Sequence, residues 1–561
     1  MKKILFAYII VFAFKANAQT WEWGVGARDT FASGNEGYAI TIDTLGNSYS
    51  TGAFNSGAIS FGSTTLINTG GHYDVFLAKY DSNGNPIWAV KPNGTETADN
   101  WTQSVSSDKN ANIFLTGFFG SSNLIFGTYT LTNVGVNNIF LVKYDKNGNV
   151  LWAKSAGGSS SDLGYSVSAD INGNAIVTGN FSSPTIVFGS YTLTNTSHNS
   201  TYSNNYFIAK YDANGNVLWA KNDIDTNGNG LSSSISTDIN GNSYVTGSLY
   251  NTIIIDTYTL TSSVPSNGNS VFLAKYDPNG NVLWAKTSTG SGGGGPNFVT
   301  TDASGNVFVT GYFLPPNIMF GTTMLTPDSI GAGLSSAIFI TKYDANGNVL
   351  WVKGAGGTYH DVGYSVSTYT GGVIVSGGFT SPHITFGTYT LTPPPNATDP
   401  FFIVQYDLNG EVICASALTS GGDDQNGVSV DKYGYAYICG DYQVNPLFVV
   451  GSDTLPLTAE EQVFVAKWLG NCNRAGIEEY ANGNARVNVY PNPNTGSFVI
   501  EPQNTLYNVR CTLYDVNGKA VLSQTINGKT SIDASSLNEG VYNISLQSNE
   551  GVVNKRLVIV R

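Results

Sequence analysis

A phrase of fifteen residues recurs along this chain: FLAKYDSNGNPIWAV from Phe76, FLVKYDKNGNVLWAK from Phe140, FIAKYDANGNVLWAK from Phe207, FLAKYDPNGNVLWAK from Phe272, FITKYDANGNVLWVK from Phe339 and a weaker FIVQYDLNGEVICAS from Phe402. Each copy sets two runs of β-branched and aromatic residues on either side of an Asn-Gly turn, the strongest short-range hairpin signal. A second hairpin alternates with it, as in GYSVSADINGNAIVTGNF and NFVTTDASGNVFVTGYF. Its late glycine falls at Gly52, Gly117, Gly179, Gly247, Gly311, Gly377 and Gly440, seven copies spaced by 62 to 68 residues. Two hairpins make four strands, so the expected fold is all-β, a seven-bladed β-propeller over residues 19–468. A blade needs only about 40 to 50 residues, and the excess goes into excursions such as FGTYTLTN, read as a short strand pair or an extended loop.

The two ends of the array are complementary. It opens on WEWGVGA, the tryptophan half of the first hairpin, and closes on VFVAKW from Val463, the other half. Pairing them completes one blade from both termini and removes the exposed strand edges that an open array would carry.

Residues 1–18 read as a signal peptide, with Lys2 and Lys3, an apolar run from Ile4 to Phe14 and the Ala16-Asn17-Ala18 cleavage site. No later stretch is long and apolar enough to predict a transmembrane segment. Charged residues make up only 12% of the 561, with a net charge of −13 and 65 glycines. Short strands with tight turns suit that composition, and nucleic acid is not an expected partner, because phosphate binding needs clustered Lys and Arg.

After Trp468 the repeat stops. Residues 469–486 read as a linker, and residues 487–561 as a small immunoglobulin-like β-sandwich of about seven strands.

The KYDxNGNVLW and DxNGNxYVTG phrases resemble the bacterial seven-bladed β-propeller repeat family, which implies architecture and little chemistry. The terminal region resembles the type A C-terminal sorting domain of the type IX secretion system of Bacteroidetes-like bacteria. That likeness rests on Tyr490, Pro491, Asn492, Pro493 and Gly496, on Asp515 with Gly518 and Lys519, on Gly540 and Tyr542, and on Lys555. It implies the type IX machinery as a partner and a secreted or surface-attached product.

Chemistry is sparse in the repeats. The DxNGN turn offers oxygens of the kind calcium takes, but its glycine stands fourth rather than sixth and most copies lack the closing Glu, so an ordinary turn is the plainer reading. Calcium is the only cofactor raised. The histidines are scattered, and His360-Asp361 has no nucleophile motif beside it. Aligning the loops that enter the second hairpin gives a column of Asn35, Asn100, Asp162, Gly230, Gly294, Asp361 and Asp423. It reads either as turn initiation or as a polar mouth, open at its glycines, for a cation or a glycan. In the seventh repeat Cys414 replaces tryptophan and Cys439 replaces threonine, and a Cys414–Cys439 disulfide is expected, with two unrelated buried thiols as the alternative. The function expected is a non-catalytic binding module, with a glycan or surface polymer as ligand. A glycan- or polymer-degrading enzyme on the same scaffold and a structural surface-layer component are the alternatives. Oligomeric state is not legible.

Overall fold

The turns come first, because they set the register of everything else. At Asp145 one carboxylate oxygen accepts the backbone N–H groups of Asn147 at 2.8 Å and Asn149 at 2.9 Å, and the other accepts the Asn149 side-chain amide at 2.8 Å. Gly148 supplies the left-handed residue, with φ of +86°. The same carboxylate pattern recurs at other turns from Asp43 to Asp344, so each DxNGN phrase folds its hairpin locally.

The computed structural model describes residues 20–29, 34–94, 97–196, 204–225, 229–265, 268–327, 335–393, 400–418, 427–443, 449–450, 453–455, 461–470, 487–490, 495–502, 509–515, 519–548 and 551–559. They are all-β; no helix occurs among them, and so none is long and apolar enough to cross a membrane. The chain divides into two compact units, Gln19–Cys472 and one containing Asn473–Arg561.

Among its described residues the larger unit holds seven four-stranded antiparallel sheets. The third sheet is typical, running Asp162–Ala169, Ala175–Phe181, Asn205–Tyr211 and Val217–Asn222 in neighbouring order. The first strands of the seven sheets are Asn35–Ile42, Asn100–Ser107, Asp162–Ala169, Asn229–Thr237, Gly294–Thr301, Asp361–Tyr369 and Gly427–Val430. Each packs against the first strand of the next sheet, and the seventh packs against the first, so the sheets form a closed cycle. The seventh sheet is built from both ends of the repeat array: Thr20–Gly26 pairs with Glu461–Leu469, Trp21 opposite Trp468.

Side chains fasten neighbouring sheets in three ways. Apolar cores lie between successive sheets; one joins Phe114, Ile139 and Leu141 of the second to Val177, Phe207 and Ala209 of the third. Serines stitch the first strands together, Ser104, Ser166, Ser234 and Ser365 accepting the backbone N–H of Val167, Ile235, Val299 and Val428 at 3.1 to 3.2 Å. At the turns, the repeated tryptophan and lysine reach into the following sheet. Trp152 Nε1 and Lys143 Nζ both donate to the Ala213 carbonyl, at 3.0 and 3.2 Å, while the Trp152 ring covers Gly215, where an added Cβ would lie 2.9 Å from it. Trp23, on the strand that closes the seventh sheet, makes the same bond to Ser82 at 3.2 Å.

Cys414 stands where the other repeats carry that tryptophan, and it is disulfide-bonded. Its partner is not Cys439, which carries a free thiol. The expected pairing fails because the two residues face different interfaces: Cys414 belongs to the core between the sixth and seventh sheets, Cys439 to the core between the seventh and first. Cys511 is also free, and the remaining cysteine, Cys472, lies outside the described residues. Burial pushes the Cys439 thiol up to about 12, which makes it inert as a nucleophile. Peptide mapping without reductant should return Cys414 in a cross-linked peptide and Cys439 as a thiol that alkylates only after unfolding. A Cys414–Cys439 cross-link would contradict this arrangement.

The FGTYTLTN excursions are strand pairs lying between the second and third strands of each sheet. Each folds back along the fourth strand of its own sheet, where Tyr129, Tyr191, Tyr258 and Tyr389 donate to the carbonyls of Leu151, Leu218, Leu283 and Ile413 at 2.7 to 2.8 Å. They cover strands that would otherwise be bare edges.

In the smaller unit, three strands (Val487–Tyr490, Ser497–Pro502, Thr530–Asp533) and four (Ala520–Ile526, Val509–Tyr514, Gly540–Ser548, Gly551–Ile559) make two antiparallel sheets. Both contribute to one core that includes Phe498, Ile500, Leu513, Ile544 and Leu557.

Candidate functional site: an axial cavity lined by bulges

The first strands do not pair regularly with their neighbours. In each of the first six sheets one extra residue interrupts the register, between Gly37 and Ala39, Thr102 and Ser104, Gly164 and Ser166, Ser232 and Ser234, Pro296 and Phe298, and Gly363 and Ser365. The extra residues are Tyr38, Gln103, Tyr165, Ser233, Asn297 and Tyr364. A bulge of this kind turns one side chain out of the pleat, and all six of these residues line one cavity of about 510 Å³. All seven first strands contribute to that cavity, so it lies on the axis of the cycle. Tyr250, Asn269 and Tyr312 add to its wall from the fourth and fifth sheets.

The bulges depend on the glycine column. Opposite each bulge the second strand carries the late glycine, paired as Gly37 with Gly52 and Gly164 with Gly179. A Cβ built on Gly52 would lie 1.9 Å from the Glu36 carbonyl oxygen, and one on Gly179 would lie 2.0 Å from that of Leu163. Only glycine leaves room for the carbonyl that the bulge pushes across.

The cavity wall is polar and uncharged. Among the described lining residues there is no Asp, Glu, His, Lys, Arg or Cys; tyrosines, amides and serines alternate with Ile40, Val105, Leu231 and Val362. Asn180 bonds the Tyr165 hydroxyl and accepts the Ser232 backbone N–H at 2.9 Å. Asn297 donates its amide to the Gly363 carbonyl at 2.9 Å.

The Asn and Asp column lies just outside this ring and does a different job. Asn35, Asn100, Asp162 and Asp361 are all buried at the starts of their strands. Asp162 accepts the Gly158 N–H and the Ser183 hydroxyl, both at 2.7 Å, and the Ser183 N–H at 3.1 Å. Asp361 repeats this with Gly357 at 2.7 Å and the Ser381 hydroxyl at 2.8 Å. Burial raises both carboxyls above the usual range, opposed by these hydrogen bonds. The oxygens of Asp162 and Asp361 tie down their own loops. At Gly230 the vacant space is filled by a neighbour, since an added Cβ would lie 2.3 Å from the Asp223 carboxylate. Asp423 lies outside the described residues.

His360 is exposed and sits in the same loop as Gly357, which holds the Asp361 carboxylate, with its Nδ1 3.4 Å from the Ser336 hydroxyl. The turn carboxylates that raised calcium are engaged by donors of their own turns, and no three His, Cys, Asp or Glu side chains converge among the described residues.

In the smaller unit, Tyr490 donates to Glu501 at 2.6 Å, Asp515 accepts the Lys519 N–H at 3.0 Å, and the buried Tyr542 donates to the Asn538 carbonyl at 2.9 Å. Gly496 accepts the Ala534 N–H at 2.8 Å. Gly540 opens the strand that carries Tyr542, and Lys555 lies on the last strand, opposite Ile544. Pro491, Asn492, Pro493 and Gly518, like the signal peptide, lie outside the described residues.

Residues 488–560 match the family described as the secretion system C-terminal sorting domain. The protein carries the export signal of the type IX system, which engages that system's machinery, and is secreted or attached to the cell surface. The chain is also similar to a WD repeat-containing protein, L264, of Acanthamoeba polyphaga mimivirus, 30% identical over 380 residues covering 56% of this chain and 27% of that protein. It therefore spans about a quarter of the length of that curated relative. Among solved structures, a fungal alcohol oxidase of the AA5 family in complex with copper superposes with a TM-score of 0.38 at 12% identity, over 97% of this chain and 100% of that one. A protein of unknown function from Dyadobacter fermentans gives 0.36 at 10% identity, over 80% and 99%. Scores this low relate neither protein's chemistry to this one.

Proposed function

We propose that the larger unit is a seven-bladed β-propeller serving as a non-catalytic binding module, carried to the cell exterior by a terminal β-sandwich, with its ligand seated in the axial cavity. Seven four-stranded sheets in a closed cycle, with an apolar core at every junction, support the propeller. The observation that carries the binding role is the ring of bulge residues. Six strands each give up regular pairing at the same position, and each aims there a residue the repeat does not hold constant: Tyr38, Gln103, Tyr165, Ser233, Asn297 and Tyr364. Bulges of this kind re-aim side chains next to functional sites. Hydrolysis of a glycan would call on a pair of carboxyl groups across the scissile bond, and the described cavity wall offers hydroxyls and amides instead. Screening the full chain against arrayed glycans and surface polymers, with turnover assays on the same compounds, should give retention without product. Product release from any retained compound would replace this reading with an enzymatic one.

A further inference from the structure

Three polar groups of the cavity wall make no hydrogen bond to any described residue: the Gln103 amide, the Ser233 hydroxyl and the Tyr312 hydroxyl. Each belongs to a half-buried residue, so each is partly withdrawn from solvent while its donors and acceptors stay uncommitted. Two tyrosine rings rest on glycines at the same site. Tyr312 lies over Gly295, where a Cβ would come within 2.9 Å of the ring, and Tyr364 lies over Gly378, at 3.1 Å. Glycine beneath each ring lets it lie against the backbone as a fixed platform, so little side-chain entropy remains to be lost on binding.

We infer that the cavity binds the end of an uncharged saccharide chain, an inference that rests on the binding-module reading and names its ligand class. The volume of about 510 Å³ lies within the usual range for small-ligand sites, roughly 300 to 1,000 Å³. A neutral sugar ring presents apolar C–H faces and a rim of hydroxyls. The tyrosine platforms match the faces, and the Gln103, Ser233 and Tyr312 groups match the rim. A uronic acid would enter without a cation to pair with, at the cost of desolvating its carboxylate. A purely apolar ligand would leave the three polar groups unpaired, which is equally unfavourable.

The test is calorimetric titration of the full chain with maltose, cellobiose and β-1,4-mannobiose, and with digalacturonate as the acidic probe. At least one neutral disaccharide should bind. Gln103→Ala and Tyr312→Phe should each weaken that binding about tenfold while leaving the thermal midpoint in place, and affinity should change less than about twofold between low and high salt, as for an uncharged site. Failure of every neutral disaccharide to bind the folded chain overturns the inference, as does binding that both variants leave intact. Salt-dependent binding of digalacturonate alone, lost in those variants, overturns the neutral-saccharide assignment and leaves the binding-module reading standing. Cleavage of any of the probes would overturn both.

Discussion

Gly179→Ala should destabilise the larger unit by about 3 kcal/mol or more and abolish binding in the axial cavity, although the residue does not line that cavity. The added methyl would sit 2.0 Å from the Leu163 carbonyl oxygen and 2.8 Å from the Phe207 ring. The second strand is held on both sides, by the first strand and by Asn205–Tyr211, so the cheapest relief is to undo the bulge at Tyr165. That shift turns the following side chains of the first strand to the opposite face, so Ser166 loses its bond to the Ile235 N–H and Tyr165 leaves the cavity wall. Denaturant unfolding reads the first effect as a lower midpoint, and titration of the folded variant reads the second. Gly57→Ala is the matched control: an added Cβ there meets nothing within 4 Å, and a change within about 0.5 kcal/mol is expected.

The hairpins were legible from the sequence because Asn-Gly turns act locally, each closing on its own Asp. The complementary half-repeats were legible too, since WEWGVGA and VFVAKW each lack what the other supplies. The bulges were not. One inserted residue in a strand as polar as GYSVSAD leaves no clear break in an alternation already blurred by serine. The signal was divided between two columns: a glycine fixed in the second strand, and, across from it, a position that varies through Tyr, Gln, Tyr, Ser, Asn and Tyr. The carboxylates of the Asn and Asp column are chemically conspicuous in the sequence, but Asp162 and Asp361 are buried and engaged by their own loops. The cysteine pairing failed for a related reason. Shared membership in the last repeats does not reveal which interface a strand's side chains enter, and Cys414 and Cys439 enter different ones.

Removing Thr20–Gly26 is expected to have the larger effect on folding. That strand supplies Trp21 to the core around Trp468 and Trp23 to the bond with Ser82, and it covers the edge of Glu461–Leu469 along its length. Truncating one buried tryptophan costs about 3 to 5 kcal/mol. Loss of the strand pairing adds to that, and the whole is comparable with the total stability of a typical domain, about 5 to 15 kcal/mol. The shortened chain should be recovered as aggregate, or as a species with a much lower thermal midpoint, because the seventh sheet then presents a bare edge.

Native-state hydrogen exchange tests closure of the cycle most directly, and the axial cavity exists only if the cycle is closed. In the intact chain, peptides covering Glu461–Leu469 and Thr20–Gly26 should exchange as slowly as the third and fourth strands of the other sheets, the positions they hold in the seventh. Rapid exchange of Thr20–Gly26, with Glu461–Leu469 behaving as an unprotected edge, would contradict the closed ring and the binding site at its centre.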